Sequence, residues 1–193
     1  MPVSTRLTNT DTVGAAEAHF NSTQDLALLT VHTGGLMVME TDGTRVINTT
    51  GLNITGSGKL DLNDNDLLLD YTGATQYASI QAKIASGRNG GLWNGAGIIS
   101  TAAKNRVPKN TTLGILEGSD FKAFYGAAAT FDGQALDTSA ILVKYTWYGD
   151  TDFNGVVNFD DYARADSGFT LHKTGWVNGD FDGNGAVNFD DYS

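Results

Sequence analysis

Residues 149–162 read GDTDFNGVVNFDDY, and residues 179–192 read GDFDGNGAVNFDDY. Counted from Asp150, side chains bearing oxygen stand at positions 1, 3, 5, 9 and 12: Asp150, Asp152, Asn154, Asn158 and Asp161. The second copy repeats them as Asp180, Asp182, Asn184, Asn188 and Asp191, with Gly155 and Gly185 at position 6. A calcium ion takes six to eight hard oxygen ligands at about 2.3–2.6 Å, and a short segment supplies them only by curling round the ion. Glycine permits the sharp turn, and position 7, Val156 or Ala186, offers its backbone carbonyl. One loop rich in Asp, Asn and Gly could be an ordinary turn. Two copies with ligands, glycine and flanking apolar residues in register predict two bound Ca²⁺ ions.

The flanks extend the pattern. Val157 and Val187 at position 8 are expected to pair across the loops and close a small core. Position 12 is Asp where the usual loop has Glu, one methylene shorter, so two-oxygen closure of the site is less assured. Residues 159–166 predict a helix after the first loop, ended by Gly168. After the second loop only the beginning of such a helix, residues 189–192, is present.

The motif D-x-[DN]-x-N-G-x-V-N-x-x-D, present twice with no entering helix, resembles the type I dockerin, a duplicated calcium-loop-plus-helix unit of bacterial secreted proteins. The wording GDTDFNGVVNFDDYARADSGF, and more faintly GRNGGLWNGAGIISTAA at residues 87–103, is similar to planctomycete-type secreted β-rich proteins of solenoid or autotransporter-like build. The resemblance implies an extracellular module of paired EF-hand-like loops with helices, of which the second is truncated. It also implies protein partners, a cohesin-like receptor among them, with Phe159, Asp160, Phe189 and Asp190 as recognition residues.

Upstream, short apolar alternations are separated by turn residues: LALLTV, LMVME, RVINTTGLNIT, KLDL and DLLLDY, punctuated at Gly34-Gly35, Asp42-Gly43, Gly56-Ser57-Gly58 and Asn63-Asp64-Asn65. These read as strands of either a stacked parallel coil or an antiparallel sandwich. Asp61, Asn63, Asn65, Asp66 and Asp70 lack a position-6 glycine and read as a polar turn, with Leu60, Leu62, Leu67 and Leu69 facing inward. Residues 75–86 have helical spacing and end before Gly87, a candidate cap for the β-structure. Trp93 reads as a core anchor, residues 102–110 as a basic surface loop, 111–117 and 140–147 as strands, and 118–127 as a short helix or turn. Residues 1–25 read as an irregular entry with a short helix at 15–20. Residues 1–3 carry no export signal, which suggests a removed leader or a fragment.

The expected fold is therefore mainly β, a β-solenoid or β-sandwich-like part over residues 1–148 with one or two short helices, followed by a small α-helical dockerin-like module over residues 149–193. Cysteine is absent, which excludes disulfides and zinc-thiolate chemistry. The net charge is −10, and residues 149–193 hold nine acidic residues against two basic ones. No Lys/Arg cluster suits nucleic acid, and no apolar run suits a membrane span. Three scattered histidines and three glutamates, Glu17, Glu40 and Glu117, compose no active site, so no enzymatic activity is expected. The expected function is an extracellular or cell-surface structural protein, folded in its tail by two Ca²⁺ and engaged in attachment or self-assembly as a homo-oligomer or filament. The alternative is an adaptor docking a secreted polysaccharide-degrading protein onto a cohesin-like receptor.

Overall fold

The computed structural model describes residues 16–192. The expected entry segment lies outside these residues up to residue 15. From Glu17 the chain is strand where a helix was expected.

The first strands form stacked turns of chain. Strands β1 (Glu17–Phe20), β2 (Gln24–Leu26) and β3 (Leu29–Val31) make one coil, and β4 (Leu36–Met39), β5 (Val46–Thr49) and β6 (Leu52–Ile54) make the next. Strands β7 (Lys59–Asp61) and β8 (Asp66–Asp70) begin a third. Each strand pairs in parallel with its counterpart one coil later, as in Leu36 with Lys59, Ile47 with Leu67, and Leu29 with Leu52. The Asp42-Gly43 and Asn63-Asp64-Asn65 turns are accordingly corners of coils and not hairpins.

Alternation explains the stacking. Leu29, Met39, Ile47, Leu60, Leu62, Leu67 and Leu69 are all fully buried, and the register puts Ile47 beside Leu67 on the face that Leu69 shares, so successive coils present apolar side chains to the same interior. The corners are tied from coil to coil by amides. Asn63 Nδ2 donates to the Met39 carbonyl at 2.6 Å, and Asn65 Nδ2 donates to the Glu40 carbonyl at 2.9 Å. Asp61 accepts from the Asn63 and Thr101 amides at 2.9 and 3.0 Å. This polar turn is a structural ladder, as its residue pattern suggested.

Helix α1 (Tyr77–Arg88) interrupts the coils before β9 (Gly97–Ile99), which joins β7 in parallel. Gly87 does not end α1, which closes at Asn89 in the left-handed conformation. A Cβ on Gly87 would lie 2.0 Å from the Ile98 carbonyl oxygen, so glycine is there to let helix and strand touch. The basic loop contains a short helix, α2 (Thr101–Asn105), capped by the Ser100 hydroxyl accepting from the Ala103 amide at 2.9 Å. Strand β10 (Thr111–Glu117), helix α3 (Gly118–Tyr125), the small hairpin β11 (Thr130–Phe131) and β12 (Gln134–Ala135), and strand β13 (Ala140–Trp147) follow. Here the topology changes, because β13 runs antiparallel to β8 and β10 antiparallel to β13. The five-stranded sheet β10-β13-β8-β5-β2 is thus mixed.

The expected division into a mainly β part and a separate helical module does not hold. Strand and helix, one-turn 3-10 segments included, are nearly balanced at 29% and 27%. Four short α-helices are scattered among the described residues, and only α4 (Phe159–Leu171) lies in the tail. The second loop is followed by a 3-10 turn, Phe189–Tyr192. The physical reason is packing. Phe153 and Trp176 of the tail belong to the same buried cluster as the coil interior, so helices of the tail need not pair to make a core of their own.

Candidate metal centre

The first loop and the segment between the loops are seated on β10 through a missing side chain. A Cβ on Gly114 would fall 2.6 Å from the Phe153 ring and 2.7 Å from the Trp176 indole, so the bare backbone of β10 is the floor for both rings. Phe153 adopts a φ of 69° to reach it. Trp176 Nε1 donates to the Asp150 carbonyl at 2.8 Å, and the Tyr77 hydroxyl of α1 accepts from the Trp176 amide at 3.2 Å. Tyr125 of α3 donates to the Asp152 carbonyl at 3.1 Å. The first loop and the segment that leads to the second are therefore held by the sheet and by α1 and α3.

The carboxylates converge as the spacing requires. Oxygens of Asp150, Asp152 and Asp161 lie within 4.8 Å of one another, and so do those of Asp180, Asp182 and Asp191. In the first loop Asp150 Oδ1 accepts from the Asn154 amide at 3.1 Å, and Oδ2 accepts from the Gly155 amide at 3.1 Å and from the Thr146 hydroxyl. Asn154 accepts from the Val156 amide at 2.7 Å. Asn158 caps α4 by accepting from the Asp160 amide at 2.8 Å, while Asp161 accepts from the Asn158 amide at 2.9 Å. This is a reciprocal capping box, which fixes the closing carboxylate by the same bonds that start the helix.

The second loop repeats the backbone scheme. Asn184 accepts from Ala186 at 2.9 Å, Asn188 from Asp190 at 2.7 Å, and Asp191 from Asn188 at 2.9 Å. Its first carboxylate differs. Asp180 Oδ2 accepts from the Gly175 and Gly185 amides at 3.2 and 3.1 Å, but Asp180 Oδ1 is buried with no hydrogen-bond partner. A buried carboxylate oxygen without a donor is costly, and a hard cation in the loop is the kind of group that would satisfy it. Burial pushes the carboxyls of Asp150 and Asp180 above their usual range, against the pull of the Thr146 hydroxyl and the Gly155 amide at the first and of the Gly175 and Gly185 amides at the second. Each loop brings three carboxylates together, hard oxygen donors of the type a calcium ion takes.

No protein-family model, curated protein or solved structure matches this chain.

Of the twelve candidate ligand residues, the six aspartates meet in two groups of three, and the four asparagines serve as turn and cap within those groups. Val156 and Ala186 sit at the turns with their amides held. Val157 lies over Gly149, and Val187 packs against Gly179 and is buried. The sequence reading missed Arg164. Its Nη1 donates to Asp152 Oδ2 at 3.1 Å and to the Thr151 hydroxyl at 2.9 Å, and lies 3.4 Å from Asp161 Oδ1. Its place three residues after Asp161 on a helix was the available signal.

Proposed function

We propose that this chain is an extracellular or cell-surface structural protein whose two C-terminal loops each take a Ca²⁺ ion, the ions fastening the tail to the coiled β-stack and leaving an apolar surface for attachment or self-assembly. The observation that carries the reading is the double carboxylate cluster, with the buried and partnerless Asp180 Oδ1 within it. Position by position the loops supply carboxylate, amide and carbonyl oxygens, the ligand chemistry of calcium and not of softer metals. Weak sites of this type suit a compartment where the ion is abundant, which favours the exterior. The reading is non-enzymatic. Among the described residues no helix is long and apolar enough to cross a membrane.

The attachment surface is α4 and the turn after the second loop. Phe159 and Phe189, at the same loop position, are 81% and 80% exposed, and Tyr162, Phe169, Leu171 and Tyr192 are also exposed. Such a surface supports a protein partner, either another copy or a cohesin-like receptor as the loop motif suggests.

The test is titration of chelator-stripped protein with Ca²⁺, followed by calorimetry and by proteolysis of residues 149–192. Two bound ions and calcium-dependent protection are expected, and failure to bind calcium at millimolar concentration would overturn the reading. Phe159→Ala tests the surface: association should weaken while calcium binding stays unchanged.

A further inference from the structure

The two loops share their ligand sequence, yet they differ in direct ion pairing: the first carboxylate cluster is paired with a guanidinium, and Arg88 and Lys109 only line the cavity beside the second. In the first loop the Arg164 guanidinium contacts Asp152 and Asp161 and lies over the Phe124 ring of α3 at 4.5 Å, which holds it in place. Asp161 Oδ1 is further shared with the Thr151 amide at 2.9 Å and the Thr151 hydroxyl at 2.7 Å. The second loop has Phe181 where the first has Thr151. Asp191 Oδ1 there accepts only backbone amides, from Phe181 at 2.8 Å and Asp182 at 3.2 Å. Among the described residues no Lys or Arg is ion-paired with Asp180, Asp182 or Asp191.

Counting the three carboxylates of each cluster, the first carries −3 offset by one guanidinium, and the second carries −3 with none. Every oxygen of Asp150 and Asp161 already has a donor, whereas Asp180 Oδ1 has none. The consequences are opposite for the two loops. A loop with a resident cation and satisfied oxygens stands without metal, and an incoming ion must share its carboxylates with a positive charge. A loop with an unanswered buried oxygen is strained until an ion arrives.

We propose that the loops are inequivalent calcium sites: Arg164 is a built-in counter-ion that keeps the first loop formed without calcium and makes it the weaker site, while the second loop is the tighter site and depends on the ion for its order. The proposal rests on the calcium reading above. A unit charge one ligand shell, roughly 6 Å, from a divalent ion separates the affinities by about tenfold at the dielectric constant of water.

Isothermal titration of the chelator-stripped full chain with Ca²⁺ should show two steps at least about tenfold apart. Asp182→Asn should remove the tighter step and Asp152→Asn the weaker. Arg164→Gln should tighten the weaker step about tenfold and bring the two together, and Arg164→Lys, which keeps the charge, should leave them apart. Amide hydrogen exchange without calcium should protect residues 150–158 and not 180–188, a readout that stands even if Arg164→Gln fails to fold. A single merged step in the unaltered chain, loss of the tighter step in Asp152→Asn, equal protection of both loops, or a first site weakened by Arg164→Gln would overturn the proposal while leaving calcium binding intact. No binding at all would overturn the calcium reading instead.

Discussion

At the scale of single residues, adjacent aspartates have opposite roles. Asp161 is 1% exposed and accepts from Thr151, Asn158 and Arg164, whereas Asp160 is exposed and only its backbone amide serves the cap. Asp161→Ala should cost about 2–3 kcal/mol by orphaning buried donors and should weaken calcium binding at the first loop at least about tenfold. Asp160→Ala should stay within about 0.5 kcal/mol of the parent. Denaturant unfolding with and without calcium checks the pair, and equal effects would mean the loop register is wrong. A second residue sets a pH dependence. Asp66 is buried, and burial outweighs the attraction of Lys144, 2.8 Å away, pushing its carboxyl up to about 8. With Asp66 neutral below that value, the Lys144 ammonium still has a carboxylate partner in Asp132, 2.9 Å away. The folded chain then holds a proton on Asp66 that the unfolded chain releases at its ordinary value of 3.8. Because the native state binds more protons between the two values, stability should fall as pH rises from about 4 to about 8. Chemical denaturation across that range should show the slope, and Asp66→Asn should flatten it.

At the scale of elements, two glycines that look like helix terminators are contact points. The α4 helix runs past Gly168 to Leu171, because a Cβ on Gly168 would lie 1.9 Å from the Asn178 carbonyl oxygen and the bare position lets the segment between the loops cross the helix. Gly87 plays the same part between α1 and β9. In an exposed helix Gly→Ala gains up to about 1 kcal/mol from propensity alone. Gly168→Ala should do the reverse, lowering stability by about 1–3 kcal/mol because backbone must move aside. Thermal unfolding decides the sign, and a stabilised variant would show that the helix does not need that approach. Local spacing could not have revealed this, since a glycine that stops a helix and one that admits a neighbour look alike in sequence.

At the scale of the whole molecule, the tail and the coils share one interior. Phe153 stacks beside Phe131 and Trp176, with ring centroids 6.4 Å apart in each case, and all three rings are buried. Loss of order in the loops should therefore be felt in the sheet. Chelation is expected to lower the melting temperature of the entire chain in one transition. At a site where calcium stands at a hundredfold excess over that site's dissociation constant, the ion contributes about 2.7 kcal/mol. For a chain of this length that is a fall of about 5–10 °C per ion. Calorimetry showing an unchanged main transition, with only a small separate one lost, would mean that the tail unfolds on its own.

The sequence by itself determined the loops: ligand spacing, glycine placement and the phase that buries Asp161 and exposes Asp160 are local properties of a short curled segment. It also determined where most strands lie and which leucines face inward, because alternation is set by the pleat. The tertiary structure decided the rest. Whether the β-strands stack in parallel, where the chain turns antiparallel at β13, and how the tail joins the coils depend on pairs far apart in sequence. Gly114 and Trp176 are separated by 62 residues, and neither carries a mark of the other. The expected helical module fails for that reason. A helical module with a small core of its own was expected from the paired loops, and the sheet already provides a core through an absent side chain on β10 that no periodicity records.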